Sequence, residues 1–225
     1  MPSLRLNKRH LFSAVLMSGV LISQAQAGLV LSHVTDKNGQ SIADTVVFAT
    51  SLEKLPPPLE AGATAIIEQE KTTFVPYVTA IRAGTAVRFP NRDSYGHHVK
   101  SFSAAKTFEV RIDGKKEAPT PITFDKAGEV ALVCFFHDSM RGFIYVVDTP
   151  YFAKSDKEGN AVLSALPPGK YEVKAWAPSM IGAPLTQTVS VPADGSINVN
   201  FKFDFVPKPA PKPKAPPVDK PAYSY

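Results

Sequence analysis

The stretch Glu129-Val130-Ala131-Leu132-Val133-Cys134-Phe135-Phe136-His137-Asp138-Ser139-Met140 decides how this chain is read. Its first half alternates as a strand does and places Val130, Leu132 and Cys134 on one face, so the sulfur points into an apolar interior. Its second half follows the thiol with an imidazole and a thioether at equal steps. These are soft and borderline ligands that suit copper. Two imidazoles and one thiolate in a trigonal set, with a weak and long axial Met, form the geometry of electron-transfer copper sites. One more histidine completes that set, and His97 or His98 offers it upstream, just after a strand-like run.

Cys134 is the single cysteine among 225 residues. It has no partner for an internal disulfide, and in an oxidising compartment a free thiol is a liability unless buried or ligated. Most lone cysteines are small buried apolar residues. Here His137 and Met140 follow at ligand spacing, which points to a metal instead.

The chain opens with the marks of a secretory leader. Arg5, Lys8 and Arg9 make a basic start, Leu11 to Ile22 is a short apolar run, and Ala25-Gln26-Ala27 is a small-residue cleavage site. Cleavage after Ala27 predicts a periplasmic or secreted protein beginning at Gly28, and the apolar run is too short to span a membrane. No membrane span is expected after cleavage. His10 leaves with the leader, as do Met1 and Met17, so Met140 and Met180 are the only methionines kept.

The formal charge of +5 belongs to the ends of the chain. Removing the leader takes away three positive charges, and the last 21 residues carry four Lys against one Asp, which leaves the body near −1. Nucleic-acid binding asks for a basic face on the fold, so no nucleic acid partner is expected.

Short apolar strands recur with turn residues between them, and no long helical period is found. Leu29–Leu31, Thr45–Phe48, Thr85–Phe89, Glu129–Val133, Phe143–Val147 and Tyr171–Trp176 cluster or alternate apolar residues as strands do. Many short strands predict an all-β sandwich architecture. Asp36-Lys37-Asn38-Gly39 and Asp156-Lys157-Glu158-Gly159 look alike and read as tight hairpin turns; a calcium loop needs more clustered carboxylates than either has. From Phe205 to Tyr225 there are seven prolines and four lysines. That composition packs no core and favours extended polyproline II, so a Pro/Lys-rich disordered tail is expected over 205–225.

Two resemblances organise the chain. Phe74, Pro76, Val78, Ile81, Gly84, Val87, Phe89, Asn91, Asp93, His97 and Val99, followed by Phe124, Gly128, Val130, Leu132, Cys134, His137, Met140, Gly142, Ile144 and Val146, resemble the cupredoxins, or blue copper proteins. The Cys-x-x-His-x-x-Met spacing and the step from Asn91 to His97 look like amicyanin more than plastocyanin. Exported proteins of this kind are often described as methylamine utilization proteins; no such metabolism is inferred. The resemblance implies a Greek-key β-sandwich over residues 64–148 holding one type 1 copper. By its pattern His97 is the ligand and His98 stands where an Asn usually follows, so the metal set is His97, Cys134, His137 and Met140. The pattern also implies that the His98 backbone N–H donates to the Cys134 sulfur. Phe135 and Phe136 depart from the small residues or proline that often follow the cysteine.

Residues 28–60 and 149–204 look like a carboxypeptidase regulatory-like, or prealbumin-like, β-sandwich. The matching residues are Val34-Thr35-Asp36, Gly39, Ile42 and Val46-Val47, then Ser155-Asp156, Gly159, Leu166-Pro167-Pro168-Gly169-Lys170-Tyr171 and Trp176. The resemblance implies a discontinuous second sandwich, with the first inserted into it or packed closely on it. Modules of this kind also occur in carbohydrate-binding proteins, so a carbohydrate or envelope partner is a further expectation. Trp176 reads as a packed strand residue, with sugar stacking as the alternative.

The expected function is single-electron carriage between protein redox partners, with no enzyme activity and no catalytic residues. Oxidase or nitrite reductase chemistry needs an open coordination position or a second, histidine-rich copper centre, and no His-x-His pair occurs. Copper carriage or sensing uses the same ligands with exchangeable metal. An envelope binding or structural role would rest on the second sandwich and the tail.

Overall fold

The computed structural model describes residues 27–58 and 62–214. The expected leader up to residue 26, with His10, lies outside the described residues, as does the tail from residue 215. Among the described residues all regular structure is strand, and no helix is long and apolar enough to cross a membrane.

The chain begins with β1 (Gly28–Thr35) and β2 (Val46–Ser51). A central block follows: β3 (Thr64–Ile66), β4 (Glu68–Glu70), β5 (Thr73–Val75), β6 (Val78–Arg82), β7 (Thr85–Arg88), β8 (His97–Ser103), β9 (Lys106–Ile112), β10 (Ile122–Phe124), β11 (Gly128–Cys134) and β12 (Arg141–Val147). The chain then returns through β13 (Phe152–Lys154), β14 (Asn160–Leu166), β15 (Gly169–Trp176), β16 (Leu185–Val191), β17 (Ser196–Asn198) and β18 (Phe201–Lys202).

Strand pairing separates the central block from the two ends. A five-stranded sheet in the order β6-β12-β11-β8-β9 and a three-stranded sheet β10-β7-β3 share a core that includes Val87, Phe89, Val99, Phe124, Leu132 and Ile144. The returning strands pair with the first two. β1 lies between β14 and β17 and also pairs with β18, while β2 lies between β13 and β15, with β16 beyond. Their shared core includes Val30, Val47, Leu163, Val173, Phe201 and Phe203. We call these two assemblies the central and the flanking sandwich.

A third apolar cluster joins them: Val46, Phe48, Val78, Tyr145, Val147 and Trp176. Strand alternation explains it. In β2, Val47 and Ala49 enter the flanking core while Val46 and Phe48 point the other way. In β12, Ile144 and Val146 enter the central core while Tyr145 and Val147 face the junction. Both strands are buried on both faces, which is why each reads as an unbroken apolar run.

Trp176 is the centre of this junction. Its ring stacks on Tyr145 with centroids 4.7 Å apart, and its Nε1–H donates to Glu129 Oε2 at 3.1 Å. Only 2% of it is exposed, which agrees with the packed-strand reading of Trp176; the ring offers no free face on which a sugar could stack. Lys154 adds a polar tie, its Nζ reaching Asp44 Oδ1 at 2.7 Å and the Val78 carbonyl at 3.0 Å.

The two look-alike turns are structural twins. Asp36 Oδ1 accepts the N–H groups of Asn38 and Gln40, and Asp156 Oδ1 accepts those of Glu158 and Asn160. Gly39 and Gly159 close them at φ 82° and 79°, a conformation glycine adopts without a side-chain penalty.

The described part of the proline-rich tail, residues 205–214, touches the fold at both ends. The Phe205 carbonyl accepts the Lys37 N–H at 3.4 Å, Pro207 and Pro211 are partly buried, and the Lys214 N–H donates to the Lys71 carbonyl at 3.0 Å. An extended polyproline-like chain makes no internal hydrogen bonds. Its backbone groups are therefore free to bond to the fold beside it.

Candidate metal centre

The alternation in β11 delivers Cys134 to the central core at the end of the strand, paired with Val99 of β8. Two tight turns follow. The His137 N–H donates to the Cys134 carbonyl at 3.4 Å and the Met140 N–H to the His137 carbonyl at 2.9 Å. The Cys134 N–H donates to the Met140 carbonyl at 3.1 Å, closing the loop on itself. Beyond it the chain must pass tightly under Phe74. A Cβ on Gly142 would sit 3.0 Å from the Phe74 Cβ and 3.2 Å from the Tyr77 carbonyl oxygen, so glycine fits here.

His97, Cys134 and His137 converge. Their ligand atoms lie within 4.8 Å of one another, with Cys134 Sγ 3.7 Å from His97 Nδ1 and 3.5 Å from His137 Nδ1. A metal held at the centre of a trigonal set, with bonds of about 2.0–2.1 Å to nitrogen and 2.3 Å to sulfur, separates those atoms by about 3.7 Å. The three side chains therefore fit one ion. His97 and Cys134 are buried and His137 is half-buried. Met140 is buried in the same core, and its backbone is bonded to those of Cys134 and His137. Soft sulfur with imidazole is the donor chemistry of copper, so the site is compatible with one copper ion.

His98 does not join the set. Its Nε2 lies 2.8 Å from Glu109 Oε1, and Glu109 also pairs with Lys100 at 2.8 Å. Its backbone N–H does reach the Cys134 sulfur, as do those of Phe136 and His137. Burial pushes the Cys134 thiol above its ordinary range, and these three N–H donors work against that by favouring the thiolate. His33 is far from the site and ties Ser41 to the Glu158 carbonyl.

Asp93 is the functional residue that the sequence did not single out as such. Its Oδ2 lies 2.9 Å from His97 Nε2 and accepts the Thr72 N–H at 3.1 Å, while Oδ1 accepts the Lys71 N–H at 2.7 Å. Burial works to raise the Asp93 carboxyl, but these bonds outweigh it and hold it below its ordinary value. His97 is pushed down by burial, against the pull of Asp93, so it is a neutral imidazole at neutral pH. Nε2–H then donates to the carboxylate, leaving the Nδ1 lone pair facing Cys134. This is how a carboxylate fixes a metal-binding histidine's tautomer and ring orientation. Asn91 braces the loop, its Oδ1 accepting the Asp93 N–H and its Nδ2 donating to the Tyr95 carbonyl. The Tyr95 ring packs 5.4 Å from His97 and 5.5 Å from His137. Burial and the neighbouring Asp93 charge push its hydroxyl up to about 12, so it stays protonated beside the ligands.

The turn that grips Asp93 is itself strained. Lys71 and Thr72 form the two-residue loop between β4 and β5, at φ 50° and 56°. Hairpin loops of this kind want Asn-Gly, and a β-branched Thr at positive φ is an outlier that costs about 1–3 kcal/mol and persists only where its surroundings impose it. The two hydrogen bonds to the Asp93 carboxylate are part of what imposes it.

No protein-family model and no curated protein sequence matches the chain. Among solved structures it is similar to amicyanins. The amicyanin of Paracoccus versutus is 24% identical, with 44% of this chain and 97% of that one covered and a TM-score of 0.34. A reduced-state amicyanin mutant is 25% identical, covering 44% and 99%, with a TM-score of 0.32. An oxidized amicyanin mutant is 18% identical over the same shares, with a TM-score of 0.34.

Proposed function

We propose that this chain is an exported, mononuclear type 1 copper protein of the cupredoxin kind that carries single electrons between protein redox partners. The observation that carries the reading is the buried Cys134 sulfur facing the Nδ1 atoms of His97 and His137 at 3.7 and 3.5 Å. Copper, when bound, supplies a one-electron Cu(II)/Cu(I) couple. The chain's own part is to keep the ligands in one arrangement for both states. Asp93 fixes the His97 ring, the self-closed 134–140 loop fixes Cys134 and His137, and Met140 would offer a weakly binding thioether sulfur.

Partner docking falls to the aromatic surface beside the loop. Phe102, Phe135 and Phe136 are 69%, 54% and 44% exposed, with Lys100 Nζ 4.3 Å from the Phe135 ring centre. A contiguous exposed apolar patch on a folded chain marks an interaction surface. The leader motif supports export to the periplasm or beyond. The strand pairing and the separate cores support two domains, residues 64–148 and the discontinuous 28–60 with 149–204.

Comparing two rates on the copper-loaded protein separates electron carriage from copper carriage. Electron exchange with a small redox protein should run through many cycles while the metal stays bound against a chelator. Copper passing to the chelator faster than electrons are exchanged would move the protein to the copper-carrier class.

A further inference from the structure

We propose that the proline-rich segment from Phe205 to Lys214 is a strap that positions the copper ligand His97. This rests on the copper reading above. The strap starts on the flanking sandwich, where the Phe205 carbonyl accepts the Lys37 N–H. It ends on the central one, where the Lys214 N–H donates to the Lys71 carbonyl at 3.0 Å. Alternate prolines make the reach stiff, and nine steps of polyproline II span about 28 Å. The lysines at 208, 212 and 214 stay exposed while Pro207 and Pro211 are partly buried, so the segment lies along the surface.

Its landing point gives the strap a function. Lys71 and Thr72 hold a left-handed turn that their residue types disfavour, and both their N–H groups grip the Asp93 carboxylate. Asp93 in turn orients His97 through Nε2. Lys214 therefore sits one hydrogen bond behind the turn, two behind the carboxylate and three behind the ligand. The Thr72 hydroxyl also bonds the Lys71 carbonyl, at 2.7 Å, so the turn is held from within as well as by the strap. Strained backbone persists only where its surroundings over-determine it, and the strap supplies one of those constraints from the far sandwich. Lys214 is thus a positioning residue for the metal site, although no copper ligand lies in its part of the chain.

The test uses the full chain with two substitutions at one position. Lys214→Pro deletes the N–H and keeps the polyproline backbone; Lys214→Ala keeps the N–H and deletes only the side chain. In the metal-free protein, the Lys71 and Thr72 amides of Lys214→Pro should exchange about two- to tenfold faster, the worth of one hydrogen bond. The His97 Nε2–H signal in the proton NMR spectrum should shift or broaden in the same variant. Lys214→Ala should match the parent in both. Equal exchange in the two variants, or faster exchange with an unmoved His97 signal, would overturn the strap. These readouts need no metal, so they decide the strap even if the chain binds no copper, an outcome that would sink only the copper reading. In copper-loaded protein, Lys214→Pro should lose metal to a chelator faster than Lys214→Ala by a similar factor, and equal loss would also count against the strap.

Discussion

The two sandwiches bury different things. The flanking core is filled by aliphatic and aromatic side chains; the polar groups buried with it are the hydroxyls of Ser32, Thr45, Thr149 and Ser155 and one acid, Asp36, which is spent on a turn. The central one buries Asn91, Asp93, His97, His98 and Gln69 together with Cys134 and Met140. Buried polar groups destabilise a fold unless each finds a partner. For Asp93 and His97 that cost is met by a chain of hydrogen bonds running from the Lys71–Thr72 turn through Asp93 to His97. The contrast teaches that one half of the molecule is built for packing and the other for holding ligands, with a shared apolar junction passing support between them.

The junction gives the largest effect by which to break that contrast. Trp176→Ala removes a stacked, fully packed indole and leaves Glu129 without its donor. It should cost about 3–5 kcal/mol, the usual range for a core Trp. Thermal unfolding followed by calorimetry should change from one transition to two. A single transition at the parent's midpoint would mean that the two sandwiches do not support each other.

A smaller effect sharpens the contrast between the two buried acids. Asp93→Asn should lower copper affinity about 10- to 100-fold, as loss of a partner behind a metal-binding histidine does. Asp36→Asn, in the flanking sandwich, should leave affinity where it was. Titration with copper under a competing chelator reads both, and equal losses would remove the role given to Asp93.

Much of this was legible in the sequence because it is local. Alternation in Gly128–Cys134 predicts both the strand and the inward sulfur, and Cys134, His137 and Met140 lie within one short loop. The run Val46-Val47-Phe48 reads as a strand for a related reason, its apolar content on both faces. Nothing in the run says that one face meets a second sandwich. Asp93 was harder, since its partners Lys71 and Thr72 lie 22 and 21 residues away, in a turn that lacks the Asn or Gly that would announce it. The tail's composition indicates extended backbone. Where that backbone bonds depends on Lys71, far off in sequence.

The smallest expected effect is on pH dependence in the metal-free protein. Burial pushes His97 down, so its contribution to stability is present above the ordinary imidazole value of about 6.5 and is lost as pH falls through the folded value. Burial pushes the Cys134 thiol up, so its contribution is present below the ordinary thiol value of about 8.5 and is lost as pH rises. Denaturant midpoints from pH 5 to 10 should fall at both ends. Cys134→Ser should flatten the alkaline limb alone; an unchanged alkaline limb would place its origin elsewhere.

The visible spectrum of the Cu(II)-loaded protein tests the central claim most directly. An intense thiolate-to-copper band at one equivalent of metal, absent from Cys134→Ser, is the predicted result. Fully metallated protein without that band would contradict a trigonal site built on His97, Cys134 and His137.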